Sequence, residues 1–241
     1  IEFLNLRLLI NNQEINSKNI NKWSQTVSMK EGISTTSFQF NDLAEVKYSI
    51  LANRALPFSA MAIVEITPLK DIEITANNYM SVPEELKEAK TEYKVLKDNK
   101  YQMPVFRTTA KTATGKYSVS ASTTFLFDGL RETLLQTEKE VGFTKKLQKG
   151  VSYRFAIAGG ICTSKDVSDP INETERQPIY AQQEGIDNIL SKHKQAWNEL
   201  WTSGDIEIEG DLEAQQRVRF ALYNLYSYIR SDSRQSLPPM G

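Results

Sequence analysis

The chain has 241 residues, 40% hydrophobic and 24% charged, a mix that buries a sizeable core and excludes intrinsic disorder. Its 29 basic and 30 acidic residues leave a net charge of −1, so no global field draws it to nucleic acid or an anionic membrane. One Cys and one His exclude an internal disulfide and a Cys/His zinc site, no metal or other cofactor is expected, and no apolar run approaches the roughly 20 residues that span a bilayer.

Ile1, Phe3, Leu4, Leu6, Leu8 and Ile10 already read as a strand, with neither Met nor a signal segment ahead of them. The natural start is therefore expected upstream, and cellular location cannot be read from this end. Residues 37–40 and 46–50 alternate, residues 60–66 form an apolar run stopped by Pro68, and Ile72 and Ile74 alternate again. Residues 83–100, rich in Glu and Lys, read as a solvated insertion, a short helix or excursion. Strand patterns resume over 117–127, 130–136, 141–147 and 151–161. Leu147-Gln148-Lys149-Gly150 reads as a hairpin turn whose Gly supplies positive φ. Many short strands at this spacing predict an antiparallel sandwich or barrel rather than a parallel α/β sheet.

Near Asp169 the apolar period changes from two to that of a helix. Asp169 is a good N-cap, Pro170 suits the first helical position, and Glu173 and Glu175 complement the helix dipole. Pro178 is expected to kink or interrupt this helix. Ile186, Ile189, Leu190, His193, Trp197, Leu200 and Trp201 keep one face until Thr202-Ser203-Gly204 ends it. Residues 205–211 alternate like a strand and end in a second N-cap, Asp211. In the helix that follows, Ala214, Val218, Ala221, Leu222, Leu225 and Ile229 form one stripe, with Phe220, Tyr223, Tyr226 and Tyr228 on the other faces. A helix apolar on several sides is normally buried on several sides. It is expected to be the first helix of a domain that lies beyond Gly241.

The chemistry-bearing residues read mostly as structural. On a strand, Asp205, Glu207 and Glu209 would share one side, neighbours about 6.6 Å apart, near the lower limit for an inverting glycosidase's carboxyl pair. Catalytic carboxylates usually face each other from different elements, so a solvated edge is the better reading. His193 reads as a hydrogen-bonded helix residue, Cys162 as an inert buried thiol, and Gly159-Gly160 as strand rather than phosphate loop. Asn172-Glu173-Thr174 matches a glycosylation acceptor but falls in a helix's first turn. Lys145, Lys146 and Lys149 read as surface charge flanking the hairpin. The four aromatics 220, 223, 226 and 228 read as core rather than as a sugar-stacking platform. No catalytic residue is assigned to this chain.

The run Ala196-Trp197-Asn198-Glu199-Leu200-Trp201, residues 205–211, Glu213-Ala214-Gln215-Gln216, Arg219-Phe220-Ala221-Leu222 and Leu225-Tyr226 resembles a junction in glycoside hydrolase family 65. That family holds maltose, trehalose and kojibiose phosphorylases and related α-glucoside hydrolases. The match covers residues 197–241. It implies a mainly β fold: a large antiparallel β-sandwich over 1–168, a helical linker over 169–204, and over 205–241 the start of an (α/α)6 catalytic barrel. The implied chemistry inverts an α-glucosidic bond: a Glu general acid protonates the leaving oxygen while water or phosphate attacks the opposite face. Those groups belong to the barrel beyond Gly241, so this segment alone is expected to be inactive. The resemblance leaves to this chain a pocket rim at Ser236, Pro239, Met240 and Gly241. The partners it implies are an α-linked glucosyl oligosaccharide, the remaining barrel and, through the sandwich, a second copy of the chain. Hydrolase is favoured over phosphorylase, because residues 236–241 depart from the phosphorylase-like approach to the family's Gly-rich stretch. A stand-alone carbohydrate-binding or dimerisation sandwich is the alternative.

Overall fold

The computed structural model describes residues 1–97 and 102–228. Along the chain these form β1 (Glu2–Ile10), β2 (Gln13–Glu14), β3 (Ile20–Ser28), β4 (Ile33–Phe40), β5 (Ala44–Ala52), β6 (Ser59–Pro68) and β7 (Ile72–Ser81). Then come β8 (Lys87–Lys97), β9 (Gln102–Lys111), β10 (Ser118–Phe127), β11 (Leu135–Gln136), β12 (Glu140–Leu147) and β13 (Tyr153–Thr163). Two helices follow, α1 (Pro170–Gly204) and α2 (Leu212–Tyr228). All pairings are antiparallel, in a sheet ordered β3-β4-β5-β6-β13-β10-β9-β8 and a smaller one ordered β11-β12-β7-β1-β2. The fold is thus the mainly β antiparallel sandwich followed by helices.

The two sheets face each other across a core that includes Ile10, Phe40, Ile66, Ile74, Phe143, Phe155 and Ile157. Phe143 stands edge-on to Phe125, Phe127 and Phe155, with ring centroids 5.3, 5.1 and 5.1 Å away, the geometry that aromatic quadrupoles favour. A second core lies on the opposite face of the larger sheet, where Met61, Ile63, Leu126, Ala156 and Ala158 meet Ala181, Ile186 and Ile189 of α1. Double-sided burial explains the apolar runs of β6 and β13. Successive side chains point to opposite faces, and here both faces are covered.

Several local expectations are corrected by the tertiary structure. The charged stretch 83–100 contains no helix among its described residues: β8 is an edge strand paired along β9. Thr91, Tyr93 and Val95 alternate with Glu92 and Lys94, and charges along a sheet edge discourage further strand pairing. Residues 130–136 contribute only the two-residue β11. Gly150 does adopt φ +77°, but its turn joins strands of different sheets, β12 and β13, and so is not a hairpin. Strands β3 and β9 carry too little simple alternation to stand out in the sequence.

In α1 the break falls at Gly185, not Pro178. Gly185 has φ 75° and ψ 171°, a conformation that glycine tolerates, while Pro178 is buried within continuous helix at the loss of one backbone bond. Asp169 caps the helix as expected, accepting from the Asn172 N–H at 3.0 Å. Residues 205–208 form no strand: the Gln215 amide accepts from Ile208 N–H at 2.6 Å and donates to Ile206 O at 2.8 Å, taking the place a neighbouring strand would fill.

Arg107, on β9 and 8% exposed, donates to Glu92 of β8 and Glu175 of α1, tying the sheet edge to the helix. Removing one member of a buried ion pair strands the others, whereas exposed pairs such as Lys111–Glu88 contribute little. Arg107→Ala is expected to lower unfolding free energy by about 3 kcal/mol. Lys111→Ala should change it by less than about 1 kcal/mol. Urea unfolding monitored by circular dichroism checks both.

Candidate functional site

Several side chains singled out in the sequence, His193, Trp197, Trp201 and Asp205 among them, gather where the C-terminal half of α1 meets the β3–β4 turn, the loop after β5, and α2. His193 is fully buried, and its Nδ1 accepts from the Arg54 backbone N–H at 3.0 Å. That bond requires a neutral ring with the proton on Nε2. Burial drives its pKa below the ordinary 6.5, outweighing the opposing pull of the Glu31 and Gly32 backbone. With no exposed nitrogen, His193 is a structural residue.

One turn further along the helix, buried Trp197 fills the junction. Its indole stacks on Tyr223 of α2 at 5.5 Å and carries the Arg54 guanidinium 5.5 Å from its ring centroid. Arg54 also donates to Tyr226 O at 2.5 Å. The indole presses so closely on the β3–β4 turn that a Cβ on Gly32 would lie 2.2 Å from Trp197 Cε2. Trp201 donates from Nε1 to Met29 O at 3.2 Å and meets Tyr226 edge-on at 5.4 Å, while the Tyr226 hydroxyl donates to Gly204 O at 2.7 Å. Two tryptophans on one helix face therefore dock α2 against the sandwich.

Asp205 is held by Arg219 through two guanidinium nitrogens, which keeps its carboxyl below the usual carboxylate range. It does not pair with Glu207 or Glu209 across a shared strand face, so the carboxylate row suggested by the alternating sequence does not form. Beside this ion pair a cleft of about 390 Å³ is lined by Met29, Lys30, Trp201 and Arg219. Asp211 caps α2 by accepting from the Ala214 N–H at 3.0 Å.

Of the four aromatics on α2, Tyr223 and Tyr226 pack inward and Phe220 and Tyr228 point outward, 59% and 51% exposed. No described residue of α2 is buried. The helix thus has one docked face and an open apolar remainder, with Leu212 90% and Leu225 43% exposed.

Other candidates are also occupied structurally. The Cys162 thiol lies 3.6 Å from Pro170 O, and burial, aided by Glu173, Asp166 and Asp169, pushes its pKa up to about 12. Thr174 of the glycosylation-like triplet is fully buried, bonded to the Ser120 hydroxyl at 2.7 Å. Lys145 departs from the surface reading: half-buried, it pairs with Glu132 and sits 5.0 Å from the Tyr153 ring centroid. Among the described residues, no three His, Cys, Asp or Glu side chains gather as a metal site. Ser236, Pro239, Met240 and Gly241 lie outside the described residues. Arg54, Met29 and Gly32 were not legible beforehand: each contributes through a fold contact, with no local motif to mark it.

A profile of the N-terminal domain of glycosyl hydrolase family 65 matches residues 1–200. The chain belongs to that family. Its sequence is 39% identical over 246 aligned positions to a kojibiose hydrolase of Flavobacterium johnsoniae and 33% identical to one of Mucilaginibacter mallensis. Each alignment covers 99% of this chain but 36% of the relative, so the family 65 chain described here spans about a third of their length. A solved protein from the human microbiome, described as a kojibiose phosphorylase, shares the fold at TM-score 0.75 and 14% identity, over 93% of this chain and 31% of the other.

Because folding depresses the His193 pKa, the unfolded chain binds the extra proton first as pH falls below 6.5. This contribution is intact above that pH and declines below it, down to the folded-state value. Unfolding free energies from pH 8 to 5 should show a steeper acid-side loss in the native sequence than in His193→Gln. Parallel slopes would mean that His193 does not contribute to the acid sensitivity.

Proposed function

We propose that this chain is the non-catalytic N-terminal part of an inverting α-glucoside hydrolase acting on kojibiose-like substrates. The supporting observation is α2: a helix docked by Trp197 and Trp201 along one face, with Phe220, Leu225 and Tyr228 left open. A helix so apolar is stabilised when its remaining faces pack on further helices, as they would at the start of an (α/α)6 barrel. In this reading residues 1–168 are the sandwich, 169–204 the linker and 205–241 the barrel's first segment. Ser236, Pro239, Met240 and Gly241 then approach the pocket rim.

Kojibiose hydrolase is the activity named for both full-coverage relatives, which favours water over phosphate as the nucleophile. The sandwich side contributes placement: Arg54, Gly32 and Met29 hold the two tryptophans, and the tryptophans set the angle at which α2 leaves. Proton transfer belongs to groups of the barrel. Within this chain His193, Cys162 and Asp205 are already engaged in the contacts described above.

Residues 1–241 incubated with kojibiose should release no glucose, whereas the same chain continued into a family 65 barrel should release it without added phosphate, the new anomer inverted. Turnover by residues 1–241 alone would overturn the proposed division of labour. Strict dependence on phosphate, with glucose 1-phosphate as product, would reassign the enzyme to the phosphorylases.

A further inference from the structure

Between β10 of the larger sheet and β11 of the smaller one, residues 128–134 connect the two sheets without regular structure. Beside this segment lies a cleft of about 530 Å³, lined among others by Asp128, Gly129, Glu132, Lys145, Tyr153 and Arg154. A second hollow of about 260 Å³, which includes Tyr93 and Phe125, shares Phe127 and Glu132 with the first. The segment is held on both sides. Arg154 clamps Asp128 with two nitrogens, Arg131 donates to Gln102 O at 2.8 Å, and Glu132 accepts from Lys145 and from the Tyr153 hydroxyl at 3.3 Å.

In and beside the larger cleft Arg154 is shared by Asp128 and Asp187, while Glu132 pairs with Lys145 and Glu65 with Lys47. Four carboxylates share three cations there, and that acidic excess disfavours an anionic ligand. The paired carboxylates still have free lone pairs, and Lys145 and Arg154 offer further N–H donors, in reach of a ligand rich in neutral hydroxyls. The half-buried Phe127 and Tyr153 supply apolar surface for C–H groups. The cavity falls within the roughly 300–1,000 Å³ range of small-molecule sites. A neutral, polyhydroxylated ligand with an apolar ring face is a short saccharide.

We propose that this cleft is an ancillary saccharide site on the sandwich, separate from catalysis, which holds a short glucosyl oligosaccharide. The choice of glucosyl units rests on the α-glucoside function proposed above; the cleft chemistry itself asks only for a neutral saccharide. Gly129 provides a test, because it lines the cleft and a Cβ built there meets nothing within 4 Å, so the position accepts a side chain.

Amide NMR spectra of residues 1–241 titrated with kojibiose, with maltotriose and, separately, with inorganic phosphate would test the site. The expected result is saturable shifts from either sugar, centred on Gly129, Glu132 and Arg154, with no response there to phosphate. Gly129→Phe should weaken binding at least tenfold at unchanged melting temperature, and Glu132→Gln several-fold. Absence of saturation, shifts that survive Gly129→Phe, shifts confined to Phe220 and Tyr228 of α2, or a phosphate response in the cleft would each overturn the proposal. Kojibiose hydrolysis by the intact enzyme should be unchanged by Gly129→Phe, so loss of this site and loss of the proposed activity are separately observable.

Discussion

The larger sheet has to bury both of its faces, and the rest of the structure follows from that constraint. Val64, Ile66, Phe155 and Ile157 require a second sheet on one side, while Met61, Ile63, Ala156 and Ala158 require cover on the other. Each large apolar side chain removed from water contributes about 1.5–3 kcal/mol, so leaving either face wet would cost an amount on the order of a domain's usual net stability. The smaller sheet covers the first face and α1 the second. Gly185 redirects the helix partway along, where Ile186 and Ile189 take up the second core.

Once α1 is laid on the sheet, its far end becomes a docking platform. His193, Trp197 and Trp201 recur every four residues, so they share the helix face that turns toward the β3–β4 turn and α2. Gly32 allows the indole to approach the backbone, and Arg54 reaches from the loop after β5 to both Trp197 and Tyr226. Contacts from three separate chain segments thereby set the direction of α2.

The same packing explains why groups with catalytic potential are quiet here. His193 is neutral because burial disfavours its cation, Cys162 is kept a thiol by burial and nearby carboxylates, and Asp205 is neutralised by Arg219. Charges more often hold segments together: Arg107 joins the β8 edge to α1, and Arg154 joins the segment after β10 to Asp187 of α1. In this family 65 chain, His193, Cys162 and Asp205 are thus each engaged in contacts that hold the fold together.

Much of the architecture was legible in residue order. The switch from period two to helical period at Asp169, the Asp169 and Asp211 caps, the inward face containing His193 and Trp197, and the open apolar faces of α2 all follow from local spacing and local hydrogen bonding. What local spacing cannot carry is any choice made by a distant partner. β8 is a strand because β9 pairs with it, Pro178 stays in a helix that breaks at Gly185, and residues 206–208 bond to a glutamine side chain instead of a strand. Arg54 and Gly32 gained their roles only when the chain brought them to Trp197, more than 140 positions later in sequence. Short-range energies act between near neighbours and are written in the sequence pattern; long-range packing selects among the alternatives they leave, and only the folded structure displays that selection.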